Sequence, residues 1–132
     1  MSLNIKRSEF QEQCELFSWA RNPLVLKKYP DLALLFCTGN GLRLPIGLAK
    51  KFKQQGNLRG VPDVILLVPN REHFGLLIEM KAKGGVVSPE QKSFHAEMIK
   101  RNYRCVVCYS AGEAIAEVEE YFKLPKHESN GK

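Results

Sequence analysis

A chain of 132 residues is enough for one compact domain built around a single core. Its apolar and charged fractions are ordinary for a globular protein, and no apolar run is long enough for a membrane span or the core of a signal peptide. The net charge of +6 makes a polyanionic partner plausible. With no membrane-length apolar run no membrane partner is expected, and with Gly39-Asn40-Gly41 too short for a dinucleotide fingerprint no nucleotide cofactor is expected.

In chain order, residues 8–28 read as a helix. Ser8 can cap it, and Gln11 three residues later completes a capping-box pattern. Phe10, Cys14, Phe17 and Ala20 mark its apolar stripe, with Glu9 and Gln13 along the edge and Glu12 and Glu15 turned away. Pro23 breaks or kinks this helix. Residues 32–37 form a short apolar strand, and Thr38, Gly39, Asn40 and Gly41 a glycine-rich turn. A basic helix spans 45–55, with Gly56 suited to its C-terminal cap. Two apolar runs, 61–69 and 74–83, are joined by a turn at 70–73 and read as a hairpin. Ser88, Pro89, Glu90 and Gln91 open a further helix running to about Asn102. A fourth strand at 103–109 and an amphipathic helix at 112–122 follow. The domain is expected to span 1–123, with a frayed polar tail over 124–132. A strand, a crossover helix and another strand make a parallel, right-handed unit. The expected fold is therefore α/β, a mixed four-stranded sheet with helices on both faces.

The hairpin carries the most informative residues. Folding it about its turn brings Asp63 opposite Glu79, and two facing carboxylates repel. A divalent cation between them turns that cost into a binding site, because hard cations take oxygen ligands. Strand alternation puts Lys81 on the same face as Glu79. Two carboxylates and a lysine around a metal can activate water and stabilise a phosphorane-like transition state. The flanking residues are apolar on both faces, so the strands are covered on both sides and the charges sit at the wet end of the sheet.

A second signal is the absence of any acidic residue between Asp31 and Asp63, a stretch that holds Arg43, Lys50, Lys51, Lys53 and Arg59. Such a one-sign segment suits phosphate. The four cysteines point elsewhere. Cys105 and Cys108 lie three apart on a strand and face opposite ways, so they cannot chelate one ion. Cys14 and Cys37 are expected as buried free thiols. A reducing cytoplasm fits. His95, mid-helix, and His73, in a turn, lack partners at metal spacing and are expected in surface or packing roles. Trp19 and Phe17 are expected in the core.

Gly60, Val61, Pro62 and Asp63 followed by Glu79, Met80 and Lys81 resemble the PD-(D/E)xK nuclease signature on the restriction-endonuclease-like fold. More narrowly, the chain resembles the stand-alone VRR-NUC (virus-type replication-repair nuclease) domain. Ser8, Glu9, Gln13 and Trp19, the Gly39-Asn40-Gly41 turn, and Ser88 to Gln91 are further matching pieces, together spanning about residues 8 to 110. One departure is Thr38-Gly39-Asn40, where the family often carries a proline before the asparagine. The resemblance implies that Asp63, Glu79 and the Met80 carbonyl hold Mg²⁺ or Mn²⁺, with Glu9 completing the acidic cluster. It implies that Lys81 orients the attacking water or stabilises the phosphorus centre, and that Gln91 reaches toward the site. Gln91 has a second reading as the capping-box partner of Ser88, and Glu9 one as a stabiliser of its helix N-terminus. Asn40 is either a DNA contact or a turn residue, the turn being favoured. The implied function is a metal-dependent endonuclease on structured DNA, a Holliday-junction resolvase-like activity carried by a homodimer. The alternatives are a flap, end or single-strand nuclease and a non-catalytic DNA-binding module.

Overall fold

The computed structural model describes residues 7–40 and 42–125. Gly41 and the tail residues 126–132 therefore lie outside the described residues, and so does that part of the expected turn and frayed tail. The chain runs α1 (Glu9–Ala20), α2 (Pro23–Lys28), a 3₁₀ turn (Pro30–Leu34), β1 (Phe36–Cys37), α3 (Ile46–Gln54), β2 (Val64–Leu66), β3 (Leu76–Met80), α4 (Pro89–Lys100), β4 (Arg104–Cys108) and α5 (Ala111–Lys123). The strands lie in the order β1-β2-β3-β4. β1 and β2, like β2 and β3, pair antiparallel, while β3 and β4 pair parallel across the α4 crossover. This is the mixed α/β sheet expected.

Alternation along β3 divides the two faces. Leu76, Ile78 and Met80 join Val64, Leu66, Leu16, Ala20, Ala114 and Val118 in the main core, so α1 and α5 cover that side. Leu77 and Glu79 point the other way, where α4 approaches. All five residues of β3 are buried, as a strand covered on both faces must be.

The helix expected over 8–28 is two helices. Pro23 marks the expected break. Asn22 caps a new helix through its side chain, and Pro23 takes the first position, where its missing N–H goes unnoticed. The face of α1 that enters the core is Glu12, Leu16 and Ala20. Glu12 was expected to turn away. It is buried because Arg7 folds back and places its Nε 3.1 Å from the carboxylate, which removes the cost of a lone charge. Cys14 and Cys37 are exposed, contrary to expectation, since the Phe10 side of α1 lines an open groove. The strand expected at 32–37 shrinks to two residues. Pro30 starts a 3₁₀ turn instead, and the Arg21 guanidinium donates to the carbonyls of Leu32 and Leu35. These bonds satisfy carbonyls that a strand would have paired.

Candidate active site

Three loops and one helix end fix the site. Asn70 closes the β2–β3 connection, its Oδ1 accepting from the amides of Glu72 and His73, while its Nδ2 donates to the Tyr121 carbonyl. The pairing of Val64 with Ile78 continues by one step to set Asp63 opposite Glu79. After β1, the Thr38 amide donates to the Asp63 carbonyl, and the Thr38 hydroxyl donates to the Pro62 carbonyl at 2.9 Å. Asn40 Nδ2 donates to the carbonyls of Leu58 and Val61. Among the described residues of that turn, Gly39 at φ 78° is left-handed and Asn40 is not. The Asn40 amide is thus engaged in tying the turn to the segment that delivers Asp63.

At the N-terminus of α1, the Ser8–Gln11 capping box fixes the first turn and with it Glu9. The carboxylate oxygens of Glu9, Asp63 and Glu79 come within 4.8 Å of one another. Asp63 and Glu79 are only 5% and 1% exposed, so the pair is drier than the wet sheet end expected from sequence. Glu9 is half-buried. Lys81 Nζ lies 3.7 Å from Glu79 Oε2, on the face that strand alternation assigns it.

This clustering governs protonation. Burial pushes the Asp63 carboxyl up to about 8, helped by its hydrogen bond to Glu79 and by the charge of that neighbour. The Met80 amide, donating to Asp63 Oδ2 at 2.9 Å, opposes the shift without cancelling it. Burial also raises the Glu9 carboxyl, Lys81 opposing and Glu79 adding to the rise. Three oxygen donors converging with a deficit of positive charge suit a hard divalent cation. Glu79 Oε1 supports that fit: it is buried and has no hydrogen-bond partner among the described residues. Asp63, Glu79 and Glu9 could hold such an ion.

Gln91 sits at the start of α4 with its Oε1 accepting from the Ser88 amide, so its capping-box role is realised. Arg43, Lys50, Lys51, Lys53 and Arg59 are all exposed, and none forms an ion pair among the described residues. The three lysines belong to α3, a helix with no buried residue. Cys105 and Cys108 are free, and burial lifts both thiols to about 12, which leaves them inert.

Sequence reasoning assigns His95 only a surface or packing role and does not foresee its place beside the acidic cluster. It is 8% exposed, and its Nε2 faces Glu79 Oε1 at 3.9 Å. The available signal was its place one turn after Gln91, on the same side of α4. Beside the acidic cluster runs a groove lined by Phe10, Gln13, Cys14, Phe17, Cys37 and Leu42, with Glu9 and Asp63 also on its wall.

No curated protein matches the chain. A solved structure described as a VRR_NUC domain protein superposes on it with a TM-score of 0.71 over 92% of this chain and 93% of that one, at 23% identity. That likeness establishes the fold. The family model for the VRR-NUC domain matches residues 5–112, and that span contains the whole cluster from Glu9 to Gln91. With the signature residues, the sheet order and the converging carboxylates in agreement, the chain belongs to the VRR-NUC family of nuclease-type, DNA-processing domains.

Proposed function

We propose that this protein is a divalent-metal-dependent DNA endonuclease that hydrolyses phosphodiester bonds in branched DNA, with the four-way junction as its substrate. The observation that carries the reading is the meeting of Glu9, Asp63 and Glu79 within 4.8 Å, with Lys81 beside them. Mg²⁺ or Mn²⁺ held by Asp63, Glu79, Glu9 and the Met80 carbonyl would polarise the scissile phosphate and lower the pKa of a bound water.

The chain's own residues do the rest. The Lys81 ammonium, 14% exposed, is held near Glu79 and offsets charge that builds on the phosphate oxygens. Gln91, with its oxygen engaged by Ser88, keeps its amide N–H groups to orient the attacking water or the phosphate. Arg43, Lys50, Lys51, Lys53 and Arg59 attract the DNA backbone without reading sequence. Cutting a two-fold-symmetric junction on both arms takes two active sites, so the working form is a homodimer.

The test is cleavage of a labelled four-way junction beside linear duplex and flap controls, with Mg²⁺, Mn²⁺ or chelator. Paired nicks in the junction, abolished by chelator and reduced about 10²- to 10³-fold in Lys81→Ala, are expected. Cleavage confined to flaps or ends would keep the chemistry and replace the substrate. Binding with no cleavage by any metal would sink the enzyme reading in favour of a DNA-binding module.

A further inference from the structure

A buried histidine needs a reason. An imidazole carries two ring nitrogens that require partners, and a leucine of similar size would fill the same space without that demand. His95 lies inside α4 at 8% exposure, and its Nε2 has no hydrogen-bond partner among the described residues. The same is true of Glu79 Oε1. The two atoms are 3.9 Å apart, facing each other across the gap between α4 and β3. The other oxygen of Glu79, Oε2, is next to Lys81 Nζ at 3.7 Å. Each carboxylate oxygen of Glu79 therefore has its own cationic or donor neighbour, one from its own strand and one from α4.

We infer that His95 is a positioning residue for Glu79: its Nε2–H donates to Glu79 Oε1 and fixes the rotation of the carboxylate, aiming it at the divalent cation. At 3.9 Å the bond is not yet made, and a shift of under about 1 Å brings the pair into donor–acceptor range. Attraction of Glu79 toward a cation and closure of this contact can occur together, because a carboxylate oxygen has two lone pairs. The neutral imidazole suffices as donor, so no change of its charge is involved. The helix is well placed for the task. Its start is locked by the Ser88–Gln91 capping box, and Gln91 and His95 fall one turn apart on one side. α4 thereby brings two groups to the site, one to its edge and one behind its deepest carboxylate. Partners that orient a metal ligand from behind commonly change metal affinity 10- to 100-fold when removed.

This inference rests on the metal reading above, and the experiment separates the two. Mn²⁺ binding is measured by titration calorimetry, without DNA, for the wild type and for His95→Leu, His95→Gln and His95→Asn. Thermal melting of each variant in chelator is recorded alongside. His95→Leu is expected to keep the melting temperature and to weaken Mn²⁺ binding about 10- to 100-fold. His95→Gln, whose amide N–H reaches the position of Nε2, is expected to restore most of the affinity, and the shorter His95→Asn is not. Mn²⁺ affinity in His95→Leu equal to the wild type, or equal losses in the Gln and Asn variants, would overturn the positioning role and leave the metal site standing. A wild type that binds no divalent ion would overturn the metal reading and this inference with it.

Discussion

Asp63 shows how the sequence invests stability in chemistry. Its carboxyl titrates near 8 in the fold against an ordinary value of 3.8, because burial and Glu79 both disfavour the charge. The ion-free fold therefore holds a proton that the unfolded chain has already released between those pH values. Unfolding then releases it, so stability falls as pH rises through that window. Chemical denaturation in chelator is expected to show a lower midpoint at pH 8 than at pH 5, and Mn²⁺ at pH 8 to restore it. Asp63→Asn removes the like-charge pair while keeping the shape. It is expected to be more stable than the wild type in chelator at pH 8 and inactive on DNA. Unchanged stability in that variant would mean that the two carboxylates do not repel in solution.

At the scale of elements, α4 is held by its two ends. Ser88 and Gln91 satisfy the first amides reciprocally. At the far end Asn102 takes a left-handed conformation at φ 69°, and the Tyr103 amide reaches back to the Met98 carbonyl. Ser88→Ala is expected to cost about 1 kcal/mol, read as a drop of a few degrees in melting temperature. Capping signals of this kind were legible in the sequence, since they depend on residues three apart. The hairpin was legible for the same reason: its short connection fixes which residues face each other, so Asp63, Glu79 and Lys81 could be placed together. What α1 packs against was not. Its apolar stripe through Phe10 and Cys14 identifies an apolar face, yet periodicity does not say what covers it, and Phe10 is 72% exposed. The core instead took the Leu16 side, and Glu12 went with it because Arg7 supplied the counter-charge. The place of His95 beside Glu79 was not legible because the two come from different elements, and only the crossover brings α4 over β3.

Taken as a whole, the molecule separates its acidic cluster from its basic surface. Asp63 and Glu79 of the acidic cluster are buried at the sheet and Glu9 joins them from α1, whereas the basic residues sit on exposed chain between β1 and β2, with α3 contributing Lys50, Lys51 and Lys53. Ile46 on this helix is 91% exposed, so α3 adds little to the core. Replacing the three lysines by alanine is expected to leave the melting temperature unchanged and to weaken DNA binding. Each lysine that contacts a phosphate should lower the slope of log affinity against log salt by about 0.9. A loss of stability in the triple variant would place α3 among the structural elements instead. Among the described residues no helix is long and apolar enough to cross a membrane.

Gly60 has a bearing on all of this that its size conceals. It holds φ at 95°, and a methyl group on it would lie 2.5 Å from the Glu90 carbonyl oxygen. The loop that leads to Asp63 and the helix that carries Gln91 and His95 thus touch backbone to backbone, with no side chain between them. That bare contact acts as a spacer of zero thickness, setting how near the two halves of the acidic site can stand. Gly60→Ala would wedge them apart by a fraction of an ångström, in a conformation alanine also resists. The expected result is a protein that still folds, though less stably, while its cleavage rate falls out of proportion to the stability lost, as misplaced catalytic groups demand. The gap at residue 60 leaves room for a hydrogen atom and nothing larger.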